Sequence, residues 1–275
     1  MQYKSEHFLI DCAEGTQRQM QIAGISPPKI SILLITHWHG DHILGIPGLL
    51  QTLGASNYQK KLKIVGPVGT KKYLGQLTNL FISKHAEIDI EVIEVKRASK
   101  VIDTDEYTVS AQPVNHTAPC LAYSFLEKDR RRVNISYTKK FGLERHPLLG
   151  KLQKGRDVTY NNKKILASKA TTIVPGRKVV FILDTAYTEV LPKFAKNADV
   201  LICESTMADE LEDKAKEYKH LTPSIAANIA KKAKVKELIL THFSQRYTST
   251  TVFKNQARRI FKKVTCATDF YTVEV

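Results

Sequence analysis

The sequence predicts an α/β fold, on three observations. Short apolar runs rich in β-branched residues recur along the chain, separated by stretches with helical periodicity. The most apolar early run, 30–35, leads straight into His37-Trp38-His39-Gly40-Asp41-His42, so four metal-ligand side chains lie within six residues where a buried strand gives way to a loop. No apolar stretch approaches the ~20 residues that cross a bilayer, so these elements belong to the layers of a soluble globular core.

Along the chain, the Phe-Leu-Ile run at 8–11 is the first strand, followed by 30–35, Leu-Lys-Ile-Val at 62–65 and the alternating 90–95. Further strands are expected at 107–114, 122–126, 179–183, 200–203, 237–240 and 269–275, each apolar and rich in β-branched or aromatic residues. Apolar positions at helical spacing predict helices at 69–83, 223–234 and 250–263. The second of these has Thr222 available as N-cap and Pro223 at its first position. Residues 130–175 read differently: basic, poor in long apolar runs and dotted with Gly, Pro and paired Asn. They are expected to form an inserted arm on a single domain covering 1–275, not core.

At 275 residues the chain is long enough to bury roughly three quarters of its unfolded surface in one domain. Hydrophobic residues make up 43% and mean hydropathy is -0.25, values that exclude a membrane protein. The N-terminus shows no signal-peptide pattern. Cys12, Cys120, Cys203 and Cys266 are scattered without a C-x-x-C pair and read as buried thiols, which points to a reducing cytoplasm. Lys and Arg number 42 against 27 Asp and Glu, a net charge of +15, so a polyanion such as nucleic acid is the expected partner. The excess is clustered, notably at Arg130-Arg131-Arg132, Lys139-Lys140, Lys163-Lys164 and Lys231-Lys232.

Imidazole nitrogens with a carboxylate oxygen suit zinc or a similar divalent ion. Four ligands this close cannot all reach one ion without strain. His37 and His39 therefore go to one metal, with Asp41 and His42 turned toward a second. Further ligands are sought at other strand ends, where a shared cleft would lie: His116 after 107–114, Asp184 after 179–183 and His242 after 237–240. A carboxylate at Asp184 has two oxygens with which to bridge two ions. Leu33 to Trp38 and Leu238 to Phe243 echo each other as apolar strand, Thr-His and aromatic residue, which suggests a two-fold architecture. His7, His85 and His146 lack this setting and read as surface or arm residues.

The chain resembles the ribonuclease Z family, tRNA 3′-processing endonucleases of the metallo-β-lactamase superfamily. The similarity rests on Asp11-Cys12-Ala13-Glu14-Gly15-Thr16-Gln17, on Thr36 to Leu49 with the histidine loop, on His220-Leu221-Thr222, and on Thr241-His242-Phe243-Ser244-Gln245-Arg246-Tyr247. The resemblance implies a four-layer αβ/βα sandwich with two zinc ions per chain at one edge, Mn2+ or another divalent ion being an alternative. It implies that His37, His39 and His116 hold one metal, Asp41, His42 and His242 the other, and that Asp184 bridges. Asp41 would orient or deprotonate the water, His220 would assist the leaving ribose oxygen, and Glu204 would support His220. The implied substrate is precursor tRNA, cut to leave a 3′-hydroxyl on the tRNA and a 5′-phosphate on the trailer, by a cytoplasmic homodimer. Arg130, Arg131, Arg132, Lys139, Lys140, Lys151 and Arg246 are the residues expected to meet RNA, the arm resembling the family's exosite through Gly142-Leu143 and Pro147 to Leu152.

The chain also departs from the family pattern. Members begin with a strand, a Gly-rich turn and a Pro- and Arg-containing loop ahead of the Asp-Cys segment, so a shortened N-terminus or a missing edge strand is expected here. Ala13 and Leu183 stand where Gly is usual, tolerable where the backbone needs no positive φ. His146 stands where Gly-Pro is common, which alters the arm's tip. Two other readings compete. A hydrolase of small phosphodiesters or sulfate esters would need no basic arm, and a non-catalytic RNA-binding subunit would lose ligands, of which none is missing.

Overall fold

The computed structural model describes residues 1–81 and 88–275. A five-stranded sheet has the order β1 (Gln2–Tyr3), β2 (Glu6–Ile10), β3 (Ile30–Leu34), β4 (Leu62–Pro67) and β5 (Ile90–Val95). Strands β2 to β5 run parallel, and β1 folds back antiparallel on β2. Parallel neighbours need crossovers, and the helices Ile46–Ala55 and Thr70–Phe81 supply two of them. Their apolar faces bury Leu49, Leu50, Leu53 and Leu74 against Leu33, Ile35, Leu62 and Ile64.

The second sheet is seven-stranded. In chain order it contains β6 (Ser99–Asp103), β7 (Tyr107–Val114) and β8 (Cys120–Glu127). After the hairpin strands β9 (Arg130–Val133), β10 (Val158–Tyr160), β11 (Lys163–Ile165) and β12 (Thr171–Val174), the chain returns to it with β13 (Lys178–Ile182), β14 (Val200–Glu204), β15 (Glu237–Thr241) and β16 (Val264–Cys266). The spatial order is β16-β15-β14-β13-β8-β7-β6, with β13 to β16 parallel. Helices Pro223–Ala233, Val190–Phe194 and Thr251–Arg258 cover its outer face, packing Ala226, Ala230, Leu191 and Phe253 on Val180, Leu201 and Leu240. The two sheets meet through Tyr123, fully buried, whose hydroxyl donates to the carbonyls of Ile35 at 2.7 Å and Val65 at 3.2 Å, and through the Phe8–Phe125 ring pair. Helices, sheet, sheet, helices is the αβ/βα sandwich expected.

Residues 104–108 and 126–177 form a second compact unit. Its ribbon pairs β9 with β12 antiparallel, Arg131 opposite Ile173, and β10 pairs with β11. Residues 130–175 were expected to be an arm outside the core, and within it Leu143, Leu152, Val158, Ile165, Ala167 and Ala170 are buried together. The apolar residues are spread singly and meet only in three dimensions. Glu127 and Arg177 close the base of the unit, the guanidinium donating to the carboxylate at 3.1 Å and Glu127 N–H to the Arg177 carbonyl at 2.9 Å.

Several expected elements differ. Residues 269–275 carry no regular strand and are largely exposed, following the sheet-edge strand β16. The helix expected to 263 ends at Arg258, and the chain instead turns into β16. Helix 69–83 begins at Thr70, and its expected end and His85 lie outside the described residues. Helix Ile46–Ala55 was missed, its Pro47 and two glycines masking a strongly apolar face. Thr222 sits at the N-cap of Pro223–Ala233 without a side-chain cap bond. Asp209 replaces it, its carboxylate accepting from Ser224 N–H at 3.1 Å and from the Ser224 hydroxyl at 2.6 Å. Ala13 and Leu183 are absent from the positive-φ residues, as expected of positions that tolerate a side chain.

Candidate metal centre

Apart from His220, which precedes the helix Pro223–Ala233, the cluster's residues leave the C-terminal ends of strands, the edge where open parallel sheets place their sites. The loop after β3 carries His37, His39, Asp41 and His42. His116 follows β7, Asp184 follows β13, Glu204 ends β14 and His242 follows β15. The echo noted between 33–38 and 238–243 thus corresponds to two strand ends that meet at one cluster. Asp11 and His242 both adopt left-handed backbone, φ 55° and 58°. Such conformations at non-glycine positions gather at functional sites.

The inward-facing donor atoms are close together. His37 Nε2 lies 3.0 Å from His39 Nδ1, which lies 3.4 Å from His116 Nε2, and Asp184 Oδ2 lies 3.7 Å and 3.8 Å from the His37 and His116 nitrogens. On the other side, His42 Nε2 is 3.5 Å from Asp41 Oδ2 and 3.6 Å from Asp184 Oδ2, while His242 Nε2 is 3.9 Å from Asp41 and 3.2 Å from Asp184 Oδ1. Two donors ~2.1 Å from one tetrahedral ion would be ~3.4 Å apart. These separations fit groups that could hold a divalent metal ion. Among the described residues, the buried atoms His42 Nε2 and Asp184 Oδ1 find no hydrogen-bond partner, a costly state for polar atoms unless an ion satisfies them. The donor set fits divalent metal.

What aims the rings is a second set of contacts. Four histidines present Nε2 inward, and each Nδ1 is tethered behind. His42 Nδ1 donates to Asp11 Oδ2 at 2.7 Å, and His37 Nδ1 to Thr36 Oγ1 at 3.0 Å, the same hydroxyl donating on to Asp11 at 2.7 Å. His116 Nδ1 donates to the Lys219 carbonyl at 3.2 Å, and His242 Nδ1 to Thr206 Oγ1 at 2.8 Å. Such partners keep the Nδ1 proton behind each ring and aim Nε2 at a metal. Asp11 also accepts from Thr36 N–H at 2.7 Å. Gly45 matters here. Its N–H bonds the Cys12 carbonyl at 2.8 Å, and a Cβ at that position would strike the Ala13 carbonyl, so the Asp11–Gly15 turn can pack against the histidine loop only over glycine.

Protonation follows position. Burial holds His37 down to about 3, with neighbouring His42 adding to the effect. Burial opposes a charge on His42 too, but the Asp11 and Asp184 carboxylates outweigh it and hold the ring up at about 10. Burial likewise opposes ionisation of Asp184, yet its histidine neighbours keep it well below the usual carboxylate range. The hydrogen bond with His242 holds Asp41 down to about 2.

His220 joins the same cluster. Its Nδ1 lies 3.1 Å and 3.2 Å from the two Glu204 oxygens and 4.0 Å from Asp184 Oδ2. Glu204 is wholly buried and also accepts from Thr185 N–H at 2.9 Å and Thr206 Oγ1 at 2.6 Å. Burial disfavours the charged His220 ring, but Glu204 overrides it and the pKa is raised. Sequence reading missed the tethering roles of Asp11, Thr36 and Thr206. Asp11 was visible within the segment that carried the resemblance. Thr206 gave no signal, because one hydroxyl among many is distinguished only by its neighbours.

Of the residues expected at RNA, Arg246 lies exposed four residues beyond His242 in the main unit, its Nε donating to Ser244 Oγ at 3.1 Å. The others belong to the second unit. Arg130 and Arg132 are exposed on one face of β9, while Arg131, on the other, donates to Thr171 Oγ1 at 3.2 Å. Lys140 and Lys151 are exposed, and exposed Lys139 lies 3.5 Å from Glu144. His7 bonds the Ser5 carbonyl, and His146 accepts from Leu148 N–H at 3.1 Å within the second unit. Among the described residues, no helix is long and apolar enough to cross a membrane.

A family model for the metallo-beta-lactamase superfamily matches residues 1–101. Ribonuclease Z of Methanothermobacter thermautotrophicus is 42% identical over 98% of this chain and 88% of its own length. Ribonuclease Z of Methanosarcina mazei is 36% identical over 99% of this chain and 90% of its own. Among solved structures, the short form of human tRNase Z superposes with a TM-score of 0.72 at 26% identity, covering 100% of this chain and 90% of that one.

Proposed function

The chain belongs to the ribonuclease Z family of the metallo-β-lactamase superfamily, and from that membership we propose that it is a metal-dependent endoribonuclease that removes the 3′ trailer from precursor tRNA. The observation that carries the reading is the single donor cluster of five imidazoles and two carboxylates, gathered from four strand ends in a chain of net charge +15.

We assign His37, His39 and His116 to one zinc ion, Asp41, His42 and His242 to a second, and Asp184 to both. Bound there, the ions would acidify a water and offset charge on the attacking and leaving phosphate oxygens. The chain's own groups do the rest. Asp41 is ionised at neutral pH and exposed at the mouth of the site, placed to orient the attacking water and take its proton. His220, with Nδ1 held by Glu204, keeps Nε2 to donate a proton to the ribose 3′-oxygen as the P–O3′ bond breaks. The tRNA leaves with a 3′-hydroxyl and the trailer with a 5′-phosphate. The exposed arginines and lysines of the second unit would hold tRNA by its phosphates, fixing register at a single-stranded end without reading sequence. In the homodimer we expect, that unit grips tRNA cut by the other chain, in the cytoplasm where precursor tRNA is found.

The test incubates zinc-loaded protein with a 3′-extended tRNA and with a chromogenic phosphodiester. Cleavage of the tRNA at the trailer junction, with two ions per chain by metal analysis, is the expected result. Hydrolysis of the small diester alone would make the chain a small-ester hydrolase, and no hydrolysis of either a binding subunit. One ion per fully active chain would overturn the two-metal assignment.

A further inference from the structure

Chain neighbours of the clustered donors help line an apolar cleft of about 800 Å³, within the size range of small-molecule sites, to which no role has been given above. Trp38 and Ile43 enter it from the histidine loop and Pro119 from the segment after His116, while Tyr73, Gln76 and Leu80 come from the helix Thr70–Phe81. The Trp38 ring is fixed. Its Nε1 donates to Thr70 Oγ1 at 2.9 Å, that hydroxyl donates to the Pro67 carbonyl at 2.7 Å, and the ring centroid lies 5.3 Å from that of Tyr73. The remaining wall is unusually open for apolar residues, with Tyr73 42% and Leu80 75% exposed. Isolated exposed apolar residues are ordinary, but a cluster of them rimmed by polar side chains marks a binding surface. Here Gln76 and Asn79 line the cleft with the apolar residues, and their amides offer both donors and acceptors.

We propose that this cleft receives one unpaired nucleobase of the RNA, from a nucleotide flanking the scissile phosphate. The Trp38 backbone lies between two of the assigned ligands, so a base seated on its ring is joined to the chain of phosphates passing the metals. Trp38 and Tyr73 provide aromatic faces, on which any base stacks. Gln76 and Asn79 face the base edge and set whatever preference exists. An aromatic, amide-lined cleft whose walls include chain neighbours of the assigned ligands, in a strongly basic chain, matches a nucleotide in each of its parts. The inference rests on the nuclease reading above.

The test uses 3′-extended tRNAs carrying a single abasic nucleotide at each position near the cleavage site, with the wild-type protein, Tyr73→Ala and Tyr73→Phe, all metal-loaded. One abasic position should raise KM by about 5- to 150-fold in wild type and in Tyr73→Phe, the range of one lost stacking contact. The same substitution should cost far less in Tyr73→Ala, where the stack is already gone. Equal abasic costs in wild type and Tyr73→Ala at every position overturn the proposal while leaving the nuclease reading standing. Failure of the wild type to cut any RNA removes both. Leu80→Glu, at a mostly exposed residue, repeats the coupling measurement if Tyr73→Ala does not fold. A fall in sedimentation mass on Tyr73→Ala would instead assign the cleft to a second copy of the chain and overturn the proposal.

Discussion

Asp11 and His42 are 31 residues apart in the chain, yet the Asp11 carboxylate accepts the His42 Nδ1 proton at 2.7 Å. The same carboxylate holds Thr36 through both its N–H and its hydroxyl, so one side chain with no direct place in the donor cluster aims two of its rings.

Asp11→Ala should therefore lower metal affinity by about 10- to 100-fold, the range for lost outer partners of metal-binding histidines. It also leaves buried donors on Thr36 unpaired, at a cost of ~1–3 kcal/mol each, so the metal-free protein should melt several degrees lower. Competition with a chelator and a thermal scan check both effects. Unchanged metal affinity would reduce Asp11 to a packing residue.

Loading the metal-free protein with zinc near pH 7.5 should acidify a weakly buffered solution. His42 is held up at about 10, so its Nε2 carries a proton that an ion must displace. Apparent affinity should rise with pH by about tenfold per unit for each proton released, across pH 6.5 to 8.5. In metal-free protein the same raised pKa adds stability that is complete below pH 6.5 and is lost as pH climbs through about 10. An indicator dye or calorimetry in two buffers reads the proton count, and a count of zero refutes the protonated ring.

His220→Ala should keep its metal and lose ~10²–10⁴-fold in turnover, with KM little changed, as expected of lost general-acid help. Because Glu204 raises the His220 pKa, activity should fail as pH rises through that pKa, and Glu204→Gln should move this alkaline limb to lower pH. Loss of metal in His220→Ala would make the residue a ligand, which its 4.0 Å approach to Asp184 allows.

Arg130→Ala with Arg132→Ala should weaken tRNA binding and flatten its salt dependence by up to ~0.9 of slope per lost phosphate contact. Hydrolysis of a small phosphodiester should be unchanged. Arg131→Ala should behave otherwise, because that side chain is spent on Thr171 and lies against Gly155 inside its own unit. Its effect should appear as a lower melting temperature. Identical effects of all three arginines on tRNA affinity would refute this division.

The sequence alone pointed to the residues that the fold gathers into one cluster, and to the sandwich. Ligands crowded into 37–42, or standing just past β-branched runs as His116, Asp184 and His242 do, are legible because strand ends are local signals and parallel strands share an edge. The resemblance then singled out His220 and Glu204, whose side chains lie in contact. Only the tertiary structure decided what lies behind and beside those ligands. Asp11 reaches His42 and Thr206 reaches His242 across different strands, and no local pattern encodes contacts made by sheet order. The helix Ile46–Ala55 was hidden by Pro47 and its glycines, while 269–275 looked like a strand but carries no regular strand. Residues 130–175 hid a core because Leu143, Leu152, Val158 and Ile165 are isolated in sequence and become a cluster only when β9 to β12 and their helices fold together. Hydrophobic burial depends on which surfaces meet, and that is settled by the whole chain.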